Sequence, residues 1–197
     1  MKKIALLFLC LFAGVTSLFA GEAAVKQTII NELKLCAAGD IKATLKYYTK
    51  DFVVTDLDDG EKLSYREIEL MATAMDGKHP EEFVLVAFQI QSGKKPTPEQ
   101  EKQLRAMAHS AQVKAEYPKL CKDFIAYTKK SSKIELKTLK FVKVDVKGNQ
   151  ATVVGEYETL DSEDRTMTKR IKKVATRKLR KVNGVWMFCE QTVKKIK

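Results

Sequence analysis

CAAGDIKATLKYYTKDFVVTDLDDGEKLSYREI, residues 36–68, packs four element changes into one short run. Gly39 stops an incoming helix, and Asp40 is placed to cap a second, shorter one whose buried stripe is Ile41, Leu45 and Tyr48. FVVTDL, starting at Phe52, is β-branched and short, which predicts a strand. Asp58, Asp59 and Gly60 then make a turn in which glycine supplies the positive φ. Ser64 and Glu67 have capping-box spacing, so a third helix starts there and runs through Ile68, Met71 and Met75 to Gly77. Asp56 closes the strand. It is either a turn residue bonding a backbone amide or a carboxylate facing a pocket.

Upstream, Val25, Ile29, Leu33 and Cys36 recur at helical steps and predict an amphipathic helix over 23–37. Before it, Lys2 and Lys3 precede the apolar run Ile4 to Ala20, with small residues at Ala20 and Gly21. This is the layout of a cleaved secretory signal peptide over residues 1–20. Downstream, a helical insertion is expected at about 78–130. Within it FVLVAFQI (83–90) fits a strand or a buried helix, Thr97, Pro98 and Gln100 open a helix, and Pro118 is expected to break it. The remainder alternates like a sheet. Four strands are expected, Ile134 to Val146, Ala151 to Leu160, Thr168 to Val182 and Val185 to Ile196, with Asn183-Gly184 as a hairpin turn. Helices followed by consecutive hairpins predict an α+β fold, with the helices on one face of a curved antiparallel sheet. One domain over 21–197 accounts for the length.

The order helix, "GD", short helix, "Y…F", strand, "DG" and a helix opening Arg-Glu-Ile resembles the opening of the nuclear-transport-factor-2-like (NTF2-like, SnoaL-like) superfamily. Ketosteroid isomerases, scytalone dehydratase and SnoaL-type polyketide cyclases belong to that superfamily. NGVWMF (183–188) is similar to its closing hairpin. The resemblance implies a cystatin-like cone with a pocket, and it puts Asp56 at the position of the isomerase general base. It places the isomerase's tyrosine position on Glu32 and its late aspartate near Lys178, so both oxyanion donors are replaced. Tyr48, Tyr157 and Trp186 are the aromatic residues expected to face the cone. Glu190 is expected either in the pocket or paired across the sheet with Arg170 or Arg177.

The chain has a formal charge of +11. From Arg165 to Lys197 there are 12 Lys or Arg against the single acid Glu190, a field that attracts anions or simply keeps a sheet face solvated. Export argues against nucleic acid as the partner. Cys36, Cys121 and Cys189 remain after cleavage in an oxidising compartment, which suggests one bridge and one spare thiol of undefined connectivity. No CxxC or HxxxH spacing occurs, so no metal site is expected, and no cofactor is implied. The reading is a secreted or periplasmic, non-catalytic protein binding a small or anionic ligand in its cone, with candidate ligand residues Tyr48, Tyr157, Trp186, Glu190, Arg170 and Lys178. The alternatives are a lyase or isomerase using Asp56 as general base, and a structural homodimer.

Overall fold

A computed structural model describes residues 21–164 and 166–196; the expected signal peptide, 1–20, lies outside them. Helix α1 (21–38) carries Val25, Ile29 and Leu33 on one stripe, all buried. It ends at Gly39, whose φ of +85° also avoids a side chain that would press on Ile125 and Lys129. Asp40 caps α2 (Ile41–Thr44) by accepting from the Ala43 N–H, and one 3₁₀ turn (Leu45–Tyr47) delivers the chain into β1 (Tyr48–Asp56). Tyr48 is thus the first strand residue rather than part of the short helix. β2 (Lys62–Ser64) pairs back on β1, and the Ser64–Glu67 capping box opens α3 (Tyr65–Ala74).

FVLVAFQI lies in a helix, α4 (Pro80–Ser92), started by a first-turn proline and stopped by Gly93. α5 (Pro98–Ala108) starts at the Thr97–Gln100 capping box. The helical break falls at His109, not at Pro118: the Ser110 hydroxyl accepts from the Val113 N–H and starts α6 (Ala111–Thr138), which continues through the proline. Pro118 deletes one backbone donor, at a cost of about 3 kcal/mol. Burial of its neighbours Tyr117 and Cys121 offsets that loss. The same helix takes up residues 134–138, expected as strand. There Thr138 Oγ1 accepts from the Glu158 N–H at 2.9 Å and stitches the helix end to the sheet.

Four strands complete the sheet: β3 (Lys140–Lys147), β4 (Gln150–Leu160), β5 (Arg170–Val182) and β6 (Val185–Lys195). Asn183 and Gly184, both at positive φ, make the β5–β6 turn. The sheet order is β2-β1-β6-β5-β4-β3, unclosed, with all neighbours antiparallel except β1 and β6. That parallel pair corrects the expectation of a wholly antiparallel sheet. It arises because the first strand docks beside the last, a pairing no local turn encodes. The stripe of α1 packs on Phe52, Val153, Leu179, Trp186 and Phe188, forming the main core on one face of the sheet. Full burial of each such side chain contributes about 1.5–3 kcal/mol. α4 packs on α5, α3 and α6, and α5 also packs on α6. Among the described residues no helix is long and apolar enough to cross a membrane.

Candidate functional site

The inward positions of β5 are Lys173, Ala175, Arg177 and Leu179, because side chains alternate along a strand. Ala175 and Leu179 are fully packed, and Arg177 between them is only 4% exposed. A guanidinium so placed needs partners. Its Nη2 donates to Glu135 Oε1, on the last turns of α6, at 2.6 Å. Its Cζ lies 5.5 Å from the centre of the Tyr157 ring. Its other terminal nitrogen, Nη1, is buried and has no hydrogen-bond acceptor among the described residues. It occupies space left by Gly155 of β4, where a Cβ would stand 3.4 Å from it.

Glu32, from α1, is the second buried carboxylate of this interior. It accepts from the Tyr48 hydroxyl at 2.6 Å and from the Cys36 thiol at 3.5 Å. Two carboxylates therefore share the field of one guanidinium. Burial pushes the Glu135 carboxyl up to about 7; Arg177 opposes the shift and Glu32 adds to it. Burial likewise raises Glu32, against its bond from Tyr48. The Tyr48 phenol is raised by burial and then by Glu32, so its proton stays on oxygen and points at that carboxylate.

Glu135 and Tyr157 also form the inner wall of a cavity of about 350 Å³, at the end of the sheet where β1 and β4 finish. Val54, Leu63, Leu160 and Val193 supply apolar walls, and Asp56 and Lys173 face each other on one side. Asp56 Oδ1 accepts from the Asp58 N–H at 2.9 Å, and Oδ2 accepts from Lys173 Nζ at 3.2 Å. Partial burial works to raise this carboxyl, but the backbone bond and the ammonium outweigh it and hold it below the ordinary aspartate value. Asp56 is thus at once a turn residue and a cavity wall. Asp58 and Asp59 accept from the Lys195 and Glu61 backbone N–H groups respectively, which fixes the turn beside the cavity mouth.

No family model matches the chain, and no curated protein matches it significantly in sequence. Solved structures do. An NTF2-like protein with a cystatin-like fold from Novosphingobium aromaticivorans superposes with a TM-score of 0.50 at 9% identity, over 94% of this chain and 88% of that one. The fold is NTF2-like. A conserved protein from Planctomyces limnophilus has a TM-score of 0.50 at 9% identity, over 90% of this chain and 98% of that one. Identities this low carry the fold and nothing finer.

On this NTF2-like frame the residues singled out from sequence separate. Asp56 and Tyr157 line the cavity, while Tyr48 does not: its ring lies against Phe52 and Phe188, and it lines a groove at the other end of the sheet. Trp186 is part of the apolar core. Lys178 and Glu190 are cross-strand partners at 2.8 Å and about half exposed, and Arg170 reaches Glu158 at 3.6 Å from an exposed position. One residue of strand alternation explains the difference: Arg177 turns in, so Lys178 turns out. Among the described residues no cysteine bridge is present. Cys36, Cys121 and Cys189 are free thiols on three separate elements, Cys36 bonded to Glu32 and Cys189 to the Lys178 carbonyl. Sequence reasoning missed Glu135 as a site residue because residue 135 was assigned to a strand. It missed Arg177 as an interior cation because that residue stands in a run of six other cations on β5, although Ala175 and Leu179 mark its face. Among the described residues no group of three or more His, Cys, Asp or Glu is placed to hold a metal ion.

Proposed function

We propose that this NTF2-like chain is a small-molecule-binding protein whose ligand enters the cavity between β1, β4 and α6. The observation that carries the reading is the cavity itself, with apolar walls and a few polar groups at one end, a combination that suits ligand sites. Its lining tilts the ligand class away from anions: Asp56, Asp59, Glu61 and Glu135 face it against Lys173 alone. A neutral or cationic ligand fits that field better than the anionic one suggested by the overall charge. The polar groups that would make an isomerase are engaged with one another, Asp56 with Lys173 and Tyr48 with Glu32, which supports binding without chemistry. Export, supported by the residues at 1–20, belongs to the same proposal. N-terminal sequencing of the mature protein checks it.

The test of binding is native mass spectrometry of the full chain beside Ser162→Trp, which plugs the cavity mouth from an exposed position. A small-molecule adduct retained by the wild type and lost in the variant is expected. Equal adducts in both, or none in a screen of neutral and cationic compounds, would remove the proposal.

A second reading is favoured by one observation. Glu135, at about 7, is tuned for proton transfer where Asp56 is not. As a lyase or isomerase the protein would use Glu135 as its base, and its rate would rise with pH through about 7 and vanish in Glu135→Gln.

A further inference from the structure

The other end of the sheet holds a larger depression. The β1–β6 ladder pairs Tyr48 with Phe188 and next Val53 with Glu190, so Thr49, Lys50, Asp51 and Phe52 stand opposite Cys189 alone. The β5–β6 ladder slips at the same level, between Lys178 and Leu179. Such irregularities bend a strand away from its neighbour and re-aim its side chains. Here they accompany a groove of about 650 Å³ between the start of β1 and the β5–β6 hairpin.

The floor of the groove is apolar, formed by Leu45, Tyr65, Val182 and Met187. Its rim is basic: Lys46, Lys50 and Arg180 line it with the single acid Asp51. Asp51 is matched by Arg180, which donates to it at 2.5 Å. Lys50 is held over the floor, donating to the Tyr65 hydroxyl at 2.7 Å with its ammonium 4.1 Å from the ring centre, and it also pairs with Glu69 at 3.4 Å. With Lys50 paired to Glu69 and Arg180 to Asp51, Lys46 is the rim cation without a carboxylate partner among the described residues, its ammonium 5.3 Å from the Tyr47 ring centre. The volume lies within the roughly 300–1,000 Å³ of small-molecule sites. A positive rim over an apolar floor selects a molecule with an apolar body and one negative group.

We infer that this groove is a second binding site, distinct from the acid-lined cavity, and that it takes a soluble amphipathic organic acid. The carboxylate sits between Lys46 and Lys50, and the apolar body lies on Tyr65, Val182 and Met187. The opposite charge of the two linings separates the ligands of the two sites.

The probe is 8-anilinonaphthalene-1-sulfonate, an apolar anion whose fluorescence reports binding, titrated into the folded full chain at low and high salt. Binding is expected to weaken with salt. Lys46→Glu/Lys50→Glu should weaken it at least tenfold while the thermal melt stays cooperative, and Lys46→Gln/Arg180→Gln should weaken it less. Decanoate should displace the probe and decanol should not. Unchanged affinity in either double variant, or displacement by decanol as effective as by decanoate, would overturn the inference. So would binding to phosphatidylglycerol vesicles without displacement by free decanoate, because the groove would then read a membrane surface rather than a soluble acid.

Discussion

Arg177 and Lys178 are adjacent on β5 and live in opposite worlds. Arg177 is buried against Glu135, with Glu32 as a second carboxylate in its field, whereas Lys178 meets Glu190 on the exposed face at nearly the same distance. Counted as salt bridges the two pairs look alike. Energetically they differ, because water screens the outer pair and nothing replaces either partner of the inner one. The pleat of the strand, one residue per face, decides which cation is structural.

The sharpest way to break this contrast is Arg177→Met. Removing the guanidinium leaves Glu135 without its partner and takes the positive charge out of the field of Glu32, and a loss of about 3–5 kcal/mol is expected in urea denaturation at pH 8. The loss should shrink at pH 5, where Glu135 holds a proton. A cost below about 1 kcal/mol at pH 8 would mean that the interior pair behaves like the surface one.

Next in size is the pH dependence of stability. Glu135 titrates near 7 when folded and near the ordinary carboxylate value when unfolded. Between those values the folded chain keeps a proton that the unfolded chain releases, so stability is full below about pH 4.5 and falls as pH rises through about 7. The fall is on the order of 3 kcal/mol, at about 1.4 kcal/mol per unit. Glu135→Gln should flatten this limb of the stability profile; a slope that persists would assign the proton elsewhere. Asp56, whose carboxyl is lowered, works with the opposite sign and loses its contribution only as pH falls below about 4.

Tyr48→Phe removes the 2.6 Å bond to Glu32 but leaves the Cys36 thiol as a donor. A cost of about 1–2 kcal/mol is expected, measured by thermal or urea unfolding. At the bottom of the scale, Lys178→Ala should change stability by less than about 0.5 kcal/mol, and any effect should vanish in high salt. A large effect there would erase the distinction between the two faces.

The fold was legible in residues 36–68 and 183–188 because those stretches carry local chemistry: the Asp40 cap, the Ser64–Glu67 box and the Asn183-Gly184 turn all act over a few residues. Pro118 misled because a proline's local cost is visible in sequence, whereas the burial of Tyr117 and Cys121 that offsets it is not. Residues 134–139 misled differently. Ile134 and Leu136 fit the start of an alternation as well as a helix, and α6 settled the matter by being already formed upstream. The site was less legible than the fold. Asp56 was found through a motif, but Glu135 meets it in the cavity only because α6 crosses β4, a contact between distant segments. Arg177 had a readable signal in its flanking Ala175 and Leu179, which the density of cations on the strand obscured.

The position of β6 has a consequence for how the chain is made. It lies between β1 and β5, and Thr49 bonds to Phe188 across 139 residues of sequence. During synthesis β1 and β2 emerge early, yet they wait as an orphan ribbon with an open edge until the final strand leaves the ribosome. Closing so long a loop comes late and costs entropy. A chain halted between β5 and β6 holds two unjoined fragments of sheet, β1–β2 and β3–β4–β5, so commitment to the native topology is deferred until β6 is made.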